Sequence, residues 1–373
     1  MIQKLLAVSF LVGMSAVAAS AQVRDTVSLP DSLWDAADTV TWVRKVPGYC
    51  EGPAYEAATG AVYFTQQPGN NYPNWPIYRV VPGVDTGLIW YNTNQSNGLA
   101  FDPQGRLVAC QKNQVVRLKP NPVSGGLGGA LDTILTSGFG ASVQSNDLTI
   151  GKNGDMYFTG YTDNNVYYLS ASGARTTVAT GVSSSNGIEW LRDLDSNAVY
   201  INASGSNVVY RYDRDPATGA LSNRTNFISI TQPDGGTYDS HGNRYVASYG
   251  GGEIRVYNAT GTTQLGYIRL RKQSGIYDSV ASSGRTGKQG NVDNCVFGGP
   301  DMKTLYMTGD GGLFAIRLKV PGVPAGVTAL RASSSRSRGI SKEASGEFRD
   351  VRGRALAPET RAPAMKVPLS KSP

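Results

Sequence analysis

The chain has 373 residues, 40% of them apolar, and a formal net charge of +7, which suits one large folded domain or two ordinary ones. Six of those net charges fall in residues 323–373 and one on Lys4, so residues 22–322 are close to neutral and lack the electrostatic footprint of a nucleic-acid binder. One histidine, His241, and three cysteines without CxxC spacing disfavour Ser-His-Asp chemistry, Cys/His zinc centres and thiol catalysis.

In chain order, residues 1–21 come first. Lys4, an apolar run and Ala19-Ser20-Ala21 have the layout of a secretory signal cleaved after Ala21, which predicts export to the periplasm or the extracellular space. The apolar run is short for a membrane span, and no other stretch of the chain is long enough. A strand-like run, TVTWVRK, follows at 39–45.

Six copies of one plan come next. They begin EGPAYEAATGAVYFT at Glu51, NGLAFDPQGRLVAC at Asn97, NDLTIGKNGDMYFT at Asn146, NGIEW at Asn186, DGGTYDSHGNRYVAS at Asp234 and NCVFGGPDMKTLYMT at Asn294. Each copy offers three alternating apolar runs separated by Gly, Asn, Asp and Pro, and five offer a fourth. The sixth lacks its fourth run, because VPGVPAG follows Lys319. A repeat of this length signals a propeller, and the spare run at 39–45 would complete the last sheet. The predicted fold is therefore an all-β, six-bladed β-propeller over residues 22–322, with four-stranded blades and a ring closed by an N-terminal strand. Residues 323–373 read as a basic, disordered tail. Cys50, Cys110 and Cys295 read as buried free thiols, with a single disulfide as the alternative.

The lead residues carry the chemistry. The first strand of every blade lines the central channel, so Glu51, Asn97, Asn146, Asn186, Asp234 and Asn294 bring six side-chain oxygens towards one region. Two carboxylates this close repel unless protonated or neutralised by a cation. Glu51, Asn186 and Asp234 suit one divalent cation with hard oxygen ligands, most simply Ca²⁺, with Mg²⁺, Mn²⁺ or, less naturally, Zn²⁺ as substitutes. Asn97 and Asn294 serve equally well as caps of the backbone at the channel. His241, in the turn YDSHGN, reads as a solvated surface residue.

At EGPAYEAATGAVYFT, SNDLTIGKNGDMYFT, SNGIEW, QPDGGTYDSHGNRYVASYGGGEIRVY and VDNCVFGGPDMKTLYMTG the chain resembles the gluconolactonase/regucalcin (senescence marker protein) family of six-bladed propellers, over roughly residues 45–319. That resemblance implies one divalent cation, hydrolysis of sugar-acid lactones, and a metal set of Glu51, Asn146, Asn186 and Asp234. Gln144 stands where many relatives carry Arg, and TGYTDN where several bacterial members read TDP; both bear on substrate choice.

On this reading the cation polarises a lactone carbonyl, Asp234 acts as the base, with Asp147 second, and Asn97, Asn146, Asp147 and Asn294 bind the substrate. The partner is a small-molecule lactone, with no nucleic acid and no stable membrane span; the sequence is silent on oligomeric state. Two other readings remain open: a phosphotriesterase-like hydrolase using the same site, and a non-catalytic exported propeller that binds a glycan or a protein.

Overall fold

The structure is a computed structural model, and it describes residues 27–68, 75–84, 88–118, 131–138, 143–191, 194, 197–270 and 291–324, with the pairs 341–342 and 348–349. The expected signal segment and most of the basic tail lie outside these residues. The chain divides into two compact units, Met1–Val327 and Thr328–Pro373. In the second, the described residues form one short hairpin, Ser341–Lys342 with Phe348–Arg349.

In the first unit, six antiparallel sheets form the blades. Their innermost strands are Tyr49–Glu56, Ser96–Phe101, Ser145–Ile150, Ser185–Trp190, Pro233–Tyr238 and Val292–Gly298. Each is followed outwards by the next strands of its blade in chain order, and each touches the innermost strand of the following blade, the sixth meeting the first. The ring closes as expected: Thr41–Lys45 pairs with Gly312–Arg317 as the outer strand of blade six. One strand was not expected. Val27–Ser28 adds a fifth strand to the outer edge of blade five, against Gln264–Arg269.

The burial pattern explains why the repeat folds this way. Second strands such as Leu107–Gln111, Met156–Gly160 and Arg244–Ser248 are buried throughout, because both faces pack on neighbouring blades. Outer strands such as Arg175–Ala179 and Leu221–Ser229 are largely exposed, and their sequences are polar. The recurring tyrosine of the second strand pins one blade to the next. Tyr63 meets Phe101 edge-on at 5.4 Å and Tyr157 meets Trp190 at 5.6 Å, and Tyr306 of blade six stacks on Tyr55 at 6.3 Å. Such aromatic pairs add about 0.5–1.5 kcal/mol each beyond the area they bury.

Between blades four and five the tyrosine contact is replaced by a cation. Arg244, fully buried, pairs with Glu189 and lies over the Tyr200 ring at 4.3 Å and the Tyr238 ring at 5.7 Å. The three cysteines are buried and free, as the sequence suggests. His241 is exposed in its turn, held there by its backbone N–H donating to Asp239 Oδ1 at 2.9 Å. Among the described residues no helix is long and apolar enough to cross a membrane.

Candidate active site

Each innermost strand carries a β-bulge close to its lead residue. The register breaks between Glu51 and Ala54, Ser96 and Leu99, Ser145 and Leu148, Ser185 and Ile188, Pro233 and Gly236, and Val292 and Asn294. An extra residue at a bulge bends the strand and re-aims its side chains, which is how an edge-lining strand turns oxygens towards the axis.

The backbone around these bulges is tied from blade to blade. Thr65 Oγ1 donates to the Asn97 carbonyl at 2.9 Å, Thr159 Oγ1 to the Asn186 carbonyl at 2.6 Å, and the Asn202 amide to the Asp234 carbonyl. The residue after four of the leads is glycine, for a steric reason. A methyl group on Gly187 would collide with the Asp234 carbonyl, and one on Gly235 with the Asn294 side chain. The lead strands thus approach one another more closely than any side chain at these positions allows.

Above the leads lies a cavity of about 530 Å³ whose lining includes Asn97, Asn146, Asn186 and Asp234. Its walls are Tyr49, Trp75, Tyr161 and Tyr249 with Gln67, Gln144, Gln232 and Ser204, so the described lining is aromatic and amide-rich, and Asp234 supplies its one carboxylate. Glu51 sits at the floor, 2% exposed, with Oε2 accepting the Gly52 N–H at 2.8 Å. The Tyr49 hydroxyl lies 3.2 Å from Glu51 Oε1 and 3.5 Å from Asp234 Oδ2, bridging the two carboxylates. Asn186 is in hydrogen-bonding reach of Asp234, and its amide nitrogen meets Ser204 Oγ at 3.3 Å.

Below the leads is a second, smaller cavity of about 120 Å³, lined by apolar residues with Asp147, Glu189 and Asn294. The structure therefore separates the expected substrate-binding set. Asn97 and Asn146 face the upper cavity, whereas Asp147 and Asn294 face the lower one, where Asn294 Nδ2 donates to Asp147 Oδ2 at 3.1 Å. Asn294 Oδ1 also accepts the Cys295 N–H at 2.8 Å, a capping role of the kind the sequence left open.

The charges at the floor are under strain. Burial raises the Glu51 carboxyl, and burial with the charge of Glu51 raises Asp234 well above the usual carboxylate range. Burial, with the charge of Glu51 added to it, pushes Asp147 up to about 7. Burial and the charge of Asp234 keep the Tyr49 hydroxyl protonated, so it remains a donor. Asp234 Oδ1 and Asn97 Oδ1 are buried with no hydrogen-bond partner.

Two desolvated carboxylates sharing one donor, an unpartnered oxygen on one of them and amide oxygens alongside form a donor set that fits a hard divalent cation. Among the described residues no group of three His, Cys, Asp or Glu side chains is close enough to hold a metal by itself, so amide oxygens from Asn146 and Asn186 would have to complete the shell.

Residues 49–271 match the family described as SMP-30/Gluconolactonase/LRE-like region. The chain belongs to that family. A pentonolactonase of Haloferax volcanii is 34% identical over 151 residues, covering 39% of this chain and 45% of its own length. The chain spans about half the length of the curated relatives it matches first. Among solved structures, a gluconolactonase from Xanthomonas campestris superposes with a TM-score of 0.61 at 21% identity, covering 79% of this chain and 95% of that one. A regucalcin from Agrobacterium tumefaciens, described as a calcium-binding protein, superposes with a TM-score of 0.60 at 17% identity, covering 76% of this chain and 95% of that one. At these identities the superpositions show the shared SMP-30/gluconolactonase fold.

Two features of the site escape a reading of the leads alone. Tyr49, Gln144 and Gln232 each stand two residues before a lead and line the same cavity. The period-2 rule for strands is the signal that finds them. The other is Asp293, fully buried at the bulge of blade six, which has no counterpart among the leads.

Proposed function

We propose that this propeller is an exported, metal-dependent lactonase that opens a sugar-acid lactone in the upper cavity. The observation that carries the reading is the floor: Glu51 and Asp234, buried, bridged by one hydroxyl, with an Asp234 oxygen left unpartnered beneath a polar cavity of about 530 Å³. The pentonolactonase of Haloferax volcanii supports the substrate class.

Glu51, Asn146, Asn186 and Asp234 would hold the cation, Ca²⁺ being the natural occupant of an all-oxygen set. When bound, it supplies electrophilic polarisation of the lactone carbonyl and stabilisation of the oxyanion. The protein's own groups do the rest. Tyr49 fixes both carboxylates through its hydroxyl, and the Gly52 N–H fixes Glu51 from the other side. Asn97, Asn146 and the glutamines of the wall offer amide donors and acceptors to the substrate hydroxyls.

Asp234 accepts a proton from water as the water oxygen bonds to the carbonyl carbon. The ring C–O bond then breaks, the proton passes to the departing ring oxygen, and the product is the open hydroxy acid.

The test is a substrate panel on the purified chain with saturating Ca²⁺: neutral aldonolactones, aryl phosphotriesters, and binding arrays of glycans. Opening of aldonolactones is the expected result. Turnover of phosphotriesters alone would assign the same floor to a different ester class. Glycan binding without turnover would make the propeller a recognition module.

A further inference from the structure

The floor contains more negative charge than the proposed ligand set uses. Asp293 lies in the innermost strand of blade six, where the register passes from Val292 opposite Gly309 directly to Asn294 opposite Thr308. Asp293 is the extra residue of that bulge. Its side chain is 0% exposed, and neither carboxylate oxygen has a hydrogen-bond partner. Buried carboxylates in folded proteins are paired, hydrogen-bonded or neutralised, so this one calls for a partner.

Among the described residues, its surroundings supply no cation. The charges that act on Asp293 are those of Glu51, Asp234 and Asp310, all negative, and it acts in turn on Tyr49 and Cys50. It therefore sits near Glu51 and Tyr49, at the junction of blades six and one. Asp310 is engaged elsewhere, its Oδ2 accepting the Asn291 N–H at 3.1 Å. Glu51 and Asp234 have Tyr49, Gly52 and Asn186 around them. Asp293 alone of the four has nothing on either oxygen.

Resting on the cation site described above, we propose that Asp293 is a positioning residue of that site: a third buried carboxylate, outside the direct ligands, whose charge is answered by the bound cation and which strengthens its capture. It does not join Glu51 and Asp234 as a ligand, since no three acidic side chains among the described residues converge closely enough. It acts through space instead. In a dry interior a unit charge near a dication, even without touching it, is attracted more strongly than in water, because water and salt screen it less. The floor is thereby taken from two negative charges to three, which favours divalent cations over monovalent ones at equal size.

The proposal makes opposite demands on the two states of the protein. Without a cation, replacing the carboxyl relieves the cost of burying an unpartnered acid among like charges; with one, it removes attraction. The full chain and its Asp293→Asn and Asp293→Ser variants are titrated with CaCl₂ by calorimetry after EDTA treatment and dialysis, and melted with and without Ca²⁺. The expected result is a Ca²⁺ dissociation constant at least tenfold weaker in both variants. Their melting temperature in EDTA should equal or exceed that of the parent, and their Ca²⁺-induced rise in Tm should be smaller. An unchanged dissociation constant and an unchanged Tm rise in both variants would reduce Asp293 to a core residue. Failure of both variants to fold in EDTA would also overturn the proposal, since it requires the neutral side chain to be tolerated there. The parent and Glu51→Gln are run alongside. A parent that binds no divalent cation removes the site itself, whereas a parent that binds while the Asp293 variants match it removes only this inference.

Discussion

Asp234 has three tasks in this account: ligand, neighbour of Glu51, and base. Its amide replacement keeps an oxygen for the metal and loses the proton acceptor. Asp234→Asn is expected to fold normally and to lose about 10²–10⁴-fold in kcat/KM on an aldonolactone, the range for a positioned general base. Turnover within a few-fold of the parent would remove Asp234 from that role.

Asp147 gives a pH signature in the metal-free protein. Its folded pKa, about 7, stands above the ordinary aspartate value, so between roughly pH 4 and pH 7 the folded chain holds a proton that the unfolded chain has released. Stability from this group is full below that window and is lost as pH rises through 7. Melting in EDTA should therefore show Tm falling between pH 5 and pH 8, with a shallower fall in Asp147→Asn. A Tm that rises with pH over that range would contradict the assignment. The leads themselves were visible in the sequence, because a residue repeated at one place in six copies must recur at one height along the channel. Which side of the floor a neighbour faces was not visible. Asp147 and Asn294 line the lower cavity, and the bulges in their strands, which leave no mark in composition or period, interrupt the alternation that would otherwise foretell a side.

At the scale of strands, the closest approach between blades is set by glycine. Gly187→Ala places a methyl against the Asp234 carbonyl and the Asn202 amide that holds it. We expect a loss of about 1–3 kcal/mol in unfolding free energy, the usual penalty for overpacking. A weaker affinity for Ca²⁺ should accompany it, because the displaced backbone carries Asp234. Equal stability and affinity in the variant would show that the blades can part there at no cost.

The Glu189–Arg244 pair makes a second demand on the same junction. Glu189→Ala leaves Arg244 buried without its partner and should cost about 3–5 kcal/mol in denaturant unfolding. A change below 1 kcal/mol would show that the tyrosine rings suffice. The four-strand plan of each blade was legible from alternating apolar runs broken by turn residues. The fifth strand of blade five was not, since Val27–Ser28 is two residues long and carries no period. Nor was the substitution of a buried cation for an aromatic contact, which depends on which residues face each other across blades.

For the whole molecule, ring closure and the proposed cation site meet at one place. Thr41–Lys45 seals blade six, with Trp42 against Phe314 at 4.0 Å between ring centres, and Val27–Ser28 lies on blade five next to it. One N-terminal segment thus covers edges that would otherwise be open to pairing with another chain. Closure brings blade six against blade one, and so Asn294 and Asp293 towards Glu51. A ring that is held shut can keep two desolvated carboxylates apart from water at its centre, and a cation that neutralises them should in turn tighten the ring.

The measurement that tests this most directly is the rate of aldonolactone opening by the EDTA-stripped full chain as Ca²⁺ is added back. The account predicts negligible turnover in EDTA and a rise that saturates at one equivalent of bound calcium per chain. Undiminished lactone opening by protein shown to be free of divalent metal would contradict it.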